Sequence, residues 1–311
     1  MNLIRNIHTI TQPERGCALT VGNYDGVHLG HQHMVGLLQR RARELQCPSA
    51  VLVFEPSSKE FLDPAGAPAR LTRWREKFVA LKALGVDQLV TLKFDERMRT
   101  MTAQGFVNEL IVETLGARHV VVGDDFRFGR DAEGTFEILV AAGRSKGFAV
   151  ERVEPYVFDS VRVSSTLVRE RLARGDFAGA AVLLGRPYAM AGRVVHGQSL
   201  GRTLGFPTAN IRLMRRKSPV YGILAVWVRG IESRPLAAVA SLGTRPTVNG
   251  VEPLLEVHVF DYAGDLYGRS LEIEFVAKLR DELRFDSLES MKVQMKVDAA
   301  QAREVLGTYR G

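Results

Sequence analysis

The chain has 311 residues, 46% of them hydrophobic and 25% charged, with a formal net charge of +7. This length exceeds one ordinary domain and this balance excludes a disordered chain, so two domains with cores of their own are expected. Its two cysteines, Cys17 and Cys47, exclude a disulfide framework and match no zinc spacing, and no apolar run approaches the roughly 18 residues of a membrane span. The first ten residues hold no signal-like apolar region, so a cytoplasmic protein without membrane partners is expected. The basic balance suits anionic ligands, nucleotides and nucleic acid alike.

ALTVG at 18–22 reads as a short buried strand, and HQHMVGLLQRRARELQ after Gly30 has apolar residues at helical spacing. AVLVF at 50–54 is a β-branched run typical of a buried parallel strand. A helix over 74–84 stopping at Gly85, a strand over 88–94, a helix over 104–115 stopping at Gly116 and a strand over 119–123 follow. A helix over 134–146, an extended stretch over 149–157, and helices from Ser164 to Arg174 and Asp176 to Leu184 complete an α/β domain with a mainly parallel sheet, residues 1–184. After Gly185-Arg186-Pro187 the helical period stops. Short extended runs (YAMAGRVV, GILAVWV, LAAVASLG, LLEVHVF, SLEIEFV) between Gly and Pro turns predict an antiparallel β-barrel or sandwich over 185–311, closed by a helix capped near Ser287 to Ser290.

Two constellations carry chemistry. Gly22-Asn23-Tyr24-Asp25-Gly26-Val27-His28-Leu29-Gly30-His31 joins a strand to a helix. Its glycines let backbone approach phosphates, the helix start offers free N–H groups, and His28 and His31 share one side of that start. Such a site suits attack on the α-phosphate of ATP, a reaction that needs positioning and charge neutralisation. A bare HxxH is more often two surface histidines; the strand–loop–helix context reverses the odds. In the second half, Gly197, Gly201 and Gly205 form a flexible loop for phosphates, followed by Pro207-Thr208-Ala209-Asn210, whose hydroxyl and amide oxygens suit Mg²⁺. Glu256 stands among apolar residues on a predicted strand. It is either a partly desolvated base or, with His258, part of that strand's wet face, and spacing leaves both open.

GNYDGVHLGH resembles the G-x-F-D-G-x-H-x-G-H signature of bacterial bifunctional riboflavin kinase/FAD synthetases. The resemblance implies a Rossmann-like nucleotidylyl-transferase domain before a β-barrel riboflavin kinase domain. It implies phosphate contacts at Gly22, Asp25, Gly26, Gly30, Ser164, Ser165, Thr166 and Arg169, the last four from the S-S-T-x-x-R pattern. GDDFRFG at 123–129 resembles the family's G-x-D-F-x-F-G loop, implying flavin contacts at Asp125, Phe126, Arg127 and Phe128. GRVVHG at 192–197 and GRTLGFPTAN at 201–210 resemble the kinase module. They imply ATP contacts at Gly197, Gly201, Gly205 and Thr208, and Mg²⁺ ligation by Thr208 and Asn210. The family's E-x-x-x-F-D segment matches Glu256 as catalytic base, and Arg280 falls where a flavin contact is implied. Riboflavin, FMN and ATP are the implied substrates, with FMN and FAD as products.

One departure stands out: where the family has P-H-P, this chain has Pro56-Ser57-Ser58, so the alternative is a riboflavin kinase with a weak or inactive adenylyltransferase. Two further rivals are a single-activity adenylyltransferase and a nucleic-acid-binding protein. The intact PTAN and Glu256 oppose the first. The second rests on the basic run Arg212–Lys217, and no RNA- or zinc-finger pattern accompanies that run; no nucleic-acid partner is expected.

Overall fold

The computed structural model describes residues 1–5, 16–197, 205–247 and 250–308. The chain divides into two compact units, Met1–Pro68 with Trp74–Ser164, and Ala69–Arg73 with Ser165–Gly311.

In the first unit, six strands form one parallel sheet: β1 (Asn2–Ile4), β2 (Cys17–Val21), β3 (Ser49–Phe54), β4 (Gln88–Leu92), β5 (Ala117–Gly123) and β6 (Ala149–Val153), in the order β1-β4-β3-β2-β5-β6. Its central strands are apolar on both faces because helices cover both. Leu19, Leu52 and Val120 pack with Phe106, Ile111 and Leu139 on one side, while Ala18, Val51 and Val121 pack with Leu38 and Leu81 on the other. The covering helices are α1 (Leu29–Glu44), α2 (Ser58–Leu62), α3 (Trp74–Ala83), α4 (Glu96–Thr100), α5 (Ala103–Gly105) and α6 (Phe136–Lys146). From α5 the chain runs into a π-wound stretch, Phe106–Thr114, where an α-helix was predicted. A hairpin, β7 (Val157–Phe158) and β8 (Val161–Arg162), ends the unit.

The order of this sheet fixes its site. From central β2 the chain moves outward through β3 and β4, then returns to β5 on the other side. The crossovers therefore part at the carboxyl ends of β2 and β5, the place where open α/β sheets bind ligands.

The second unit opens with α7 (Ser165–Ala173) and α8 (Phe177–Leu184). A closed antiparallel barrel follows, β9 (Ala189–Val195), β10 (Ala209–Arg212), β11 (Gly222–Arg229), β12 (Leu236–Thr247), β13 (Gly250–Val259) and β14 (Ser270–Arg280), in the order β10-β13-β12-β11-β14-β9, with β9 paired back to β10. Met190, Ile211, Leu224, Val226, Leu255, Val257 and Ile273 fill it. The final helix, α9 (Leu288–Thr308), lays Ala302 and Leu306 against Ala225 and Trp227 outside the barrel. As expected, Ser287 caps it: its hydroxyl accepts from Ser290 N at 3.1 Å.

The helices α7 and α8 group with the barrel because Phe177 stacks on Phe275 of β14, ring centroids 5.8 Å apart. The short segment Ala69–Arg73 belongs there too. Tyr188 Oη donates to Leu71 O at 3.0 Å, Arg169 Nε donates to Ala69 O at 2.6 Å, Arg215 donates to the carbonyls of Arg70 and Leu71, and Arg73 donates to Ala191 O.

Leu255→Ala empties a wholly buried position inside the barrel. We expect it to cost about 2–5 kcal/mol of barrel stability, read as a lower urea midpoint for the Trp227 signal in a Trp74→Phe background. A loss under about 1 kcal/mol would show that the barrel refills the space.

Candidate active sites

The first site grows from the end of β2. Gly22 N donates to Leu52 O at 3.1 Å, tying the loop to β3. Tyr24 is buried, and its hydroxyl shares a 2.7 Å hydrogen bond with Thr20 and points at Met34 Sδ. Tyr24, Gly26 and Val27 all take left-handed backbone angles, turning the chain sharply, with half-buried Asp25 between them. That turn delivers His28 as the N-cap of α1, its Nδ1 accepting from His31 N at 3.4 Å. The two imidazoles stack with centroids 3.7 Å apart, against the Tyr24 ring. Gly30 makes the stack possible, since a Cβ there would lie 3.2 Å from the His28 ring.

His31 Nδ1 is buried without a hydrogen-bond partner. Burial first, then the neighbouring His28 and the Lys77 ammonium, hold the His31 pKa well below its ordinary value, so it is neutral near pH 7. Two imidazoles, a buried lysine on α3 and the positive end of a 16-residue helix thus converge where anionic charge is favoured.

The loop after β5 lies beside it, at the end of the neighbouring strand. Phe128 is only 5% exposed and packs on Phe106, ring centroids 5.3 Å apart, so it belongs to the core. Half-buried Phe126 stacks on it at 5.5 Å, while Asp125 and Arg127 are exposed. Of the four expected flavin contacts, Phe128 is buried, Phe126 half-buried and Asp125 and Arg127 exposed. Neighbouring Asp124 accepts from Arg162 of the β7–β8 hairpin at 2.9 Å.

Ser57 follows β3 at the same end of the sheet and caps α2. Its hydroxyl accepts from Glu60 N at 3.4 Å, and Glu60 Oε2 accepts from Ser57 N at 3.0 Å. Ser164 closes the first unit, whereas Ser165, Thr166 and Arg169 lie on α7 of the second.

The second site lies on the outer face of the barrel. Asn210 sits on β10, directly opposite Glu256 on β13 and Val195 on β9. Leu255 and Val257 point inward, so Glu256 faces out, with Ser241 of β12 opposite it. Glu256 does share an outward face with His258, yet it is half-buried. Burial raises its pKa, Arg245 lowers it and Glu282 raises it, with a net upward shift. Gly197 packs against the Asn210 side chain so closely that any Cβ would overlap it. Half-buried Thr208 precedes β10, and His258 Nδ1 donates to Pro207 O at 2.9 Å, fixing the approach to this strand. Gly205 is exposed with φ +83, and Gly201 lies outside the described residues.

The donors here are hard oxygens. Among the described residues no cluster of three His, Cys, Asp or Glu side chains could hold a metal. A cation at Thr208 and Asn210 would therefore take most of its ligands from phosphate and water, the habit of Mg²⁺.

Arg280, expected at a flavin contact, is paired within the unit. Its guanidinium grips Asp298 of α9 with bonds of 2.8 and 2.6 Å, and Asp298 also accepts from Gln294. Sequence reading missed Asp298 and Lys77: each sits in an amphipathic pattern that marks the element but not the partner.

A family model described as FAD synthetase matches residues 10–167, and one described as riboflavin kinase matches residues 184–306. The bifunctional riboflavin kinase/FMN adenylyltransferase of Escherichia coli (strain K12) is 48% identical over 308 residues, 99% of this chain and 98% of that one. The protein of the same description from Haemophilus influenzae is 45% identical over 303 residues, 97% of this chain and 98% of that one. A crystal structure described as a macrolide-efflux protein from Streptococcus pneumoniae is 32% identical with a TM-score of 0.79, covering 99% of both chains. In the chain studied here, no helix among the described residues is long and apolar enough to cross a membrane.

Asp298→Ala leaves the Arg280 guanidinium, with 18% of its side chain exposed, without its carboxylate. We expect it to destabilise the second unit by on the order of 3 kcal/mol, measured by urea unfolding. A loss below about 0.5 kcal/mol would show that the pair does not hold α9 to β14.

Proposed function

The chain belongs to the bifunctional riboflavin kinase/FMN adenylyltransferase family, and from that premise we infer that its first unit transfers AMP from ATP to FMN and its second phosphorylates riboflavin. The two activities themselves follow from the relatives over the full chain; the roles of individual residues are our reading. The functional halves are 1–184 and 185–311.

In the kinase half, one observation carries the assignment: Asn210 and Glu256 occupy facing positions on paired strands. The Glu256 carboxylate accepts the proton of the riboflavin 5′-hydroxyl as that oxygen bonds to the γ-phosphorus and the bridging oxygen leaves with ADP. Burial lifts its pKa from the ordinary carboxylate range toward the pH at which it must work. Thr208 and Asn210 would hold the Mg²⁺ that accompanies ATP, and its charge offsets that of the phosphates. Gly197 and Gly205 give the nucleotide close access to backbone.

In the adenylylating half, a phosphate oxygen of FMN bonds to the α-phosphorus of ATP and pyrophosphate departs. His28, His31 and the N–H groups that open α1 offset the charge that grows on the phosphates, with Gly22, Asp25, Gly26 and Gly30 shaping the loop. Phe126 offers a face to the flavin, supported from below by Phe128, with Asp125 and Arg127 at the rim. Ser164, which closes this unit, is a further phosphate contact of this reading. Ser57 adds no charge where the family pattern has histidine.

Glu256→Gln should lower FMN formation from riboflavin by about 10²–10⁴-fold while FMN is still converted to FAD, read by chromatographic separation of the three flavins over time. Undiminished kinase activity in this variant removes Glu256 as the base.

A triphosphate placed beside His31 raises its depressed pKa, so ATP binding in the first unit should take up a proton and tighten as pH falls. Calorimetry in buffers of different ionisation enthalpy, on an Asn210→Ala background, should show that uptake and should lose it in His31→Gln. In the absence of ATP the sign runs the other way. The unfolded chain protonates this histidine first, so its contribution to stability is present above about pH 6.5 and is lost below it.

A further inference from the structure

We propose that Tyr24 is a positioning residue for AMP transfer, its hydroxyl locked with Thr20 and Met34 in a buried triad that sets the His31 imidazole. The inference rests on the assignment of His31 to that reaction. The Tyr24 and Thr20 hydroxyl oxygens lie 2.7 Å apart, and Met34 Sδ lies 3.1 Å from the first and 3.2 Å from the second. Tyr24 and Thr20 are both buried. One hydroxyl donates to the other and the second donates to the thioether, a weak acceptor, so both protons are satisfied without water. The hydroxyl is a particular of this chain, since the G-x-F-D-G signature has Phe where Tyr24 stands.

Each member comes from a different element. Thr20 belongs to β2, Tyr24 to the turn after it, and Met34 to α1. Met34 stands three residues beyond His31 and so on the same side of that helix. Gly22 leaves room for the tyrosine ring, since a Cβ there would stand 3.2 Å from it. The Met34 methyl reaches the end of β5, 3.6 Å from where a Cβ on Gly123 would stand. The triad therefore ties the central strand, the helix and the starts of both loops to one another.

What the triad holds in place is His31. Tyr24 has φ +48, a left-handed conformation uncommon for an aromatic residue, which persists only where the surroundings fix it. Its ring packs on the His31 imidazole with centroids 4.8 Å apart. His31 Nδ1 makes no hydrogen bond, so ring packing, rather than a bond at that atom, orients the imidazole. Groups that offset charge in a transition state act only if they already stand in place, and a small displacement there costs rate. The tyrosine hydroxyl thus acts through its ring on a neighbour it does not itself bond.

Steady-state kinetics and NMR on the full chain test this. Tyr24→Phe and Met34→Leu should each lower kcat for FAD formation about tenfold, with the KM values for ATP and FMN near the parent's and riboflavin phosphorylation unchanged. The His31 Cε1 proton, assigned against His31→Gln, should titrate at higher pH than in the parent as water reaches the loosened ring. The triple variant Thr20→Val/Tyr24→Phe/Met34→Leu replaces every polar member by an apolar group of similar shape, and should unfold near the parent urea midpoint while its kcat stays low. Recovery of kcat together with stability would show packing alone at work and overturns the proposal. A parent kcat or an unmoved His31 titration in Tyr24→Phe overturns it too. Should a variant with altered Met34 fail to fold, Tyr24→Phe decides alone. His31→Gln separates two failures: if it lowers FAD formation while Tyr24→Phe matches the parent, the positioning alone is wrong. If FAD formation persists in His31→Gln, the assignment of His31 is wrong as well.

Discussion

The pairing of β10 with two partners at once governs the second unit. A strand of four residues is shared by β9 and β13, and through it the sheet becomes a closed barrel. Closure leaves no edge strand, so backbone groups are satisfied by the ladder and side chains on the outer face are released for chemistry. The same register brings Asn210 and Glu256, 46 positions apart in sequence, to facing sites. Fold and the facing of these two side chains are here one constraint, because a slip of a single residue would turn Asn210 inward and Ile211 outward.

The first unit reaches its site by another route. No side chain of the sheet interior takes part. The parallel strands are buried on both faces, and the reversal of strand order between β2 and β5 leaves two loops side by side at the sheet's carboxyl end. Each loop is then shaped locally, the first by left-handed residues and the His28 cap, the second by aromatic support from the core. The loops are polar, with left-handed backbone in the first, and apolar where they meet the sheet.

Much of this was legible in the sequence, for identifiable reasons. The runs around Leu52, Val90 and Val121 are short, apolar and β-branched, which signals buried parallel strands, and Ser287 with Ser290 marks the start of α9. The stacked histidines followed from spacing at a helix start. What escaped was of three kinds. The edge strand β1 is three residues long and has no period to detect. The π-winding of Phe106–Thr114 keeps an apolar face that a 3.6-residue period also describes, so composition cannot separate them. The pairing of Arg280 with Asp298 joins two elements 18 positions apart, which spacing within either does not mark.

The segment Ala69–Arg73 ties the second unit to a stretch of chain laid down long before it in sequence. Its carbonyls are acceptors for Arg169, Tyr188 and Arg215, all of which follow it in the chain by about a hundred residues or more. A chain cut at the helix–barrel junction would leave the Tyr188 hydroxyl and Arg215, both buried, without these carbonyls. Five residues from early in the chain thus make the barrel costly to set free.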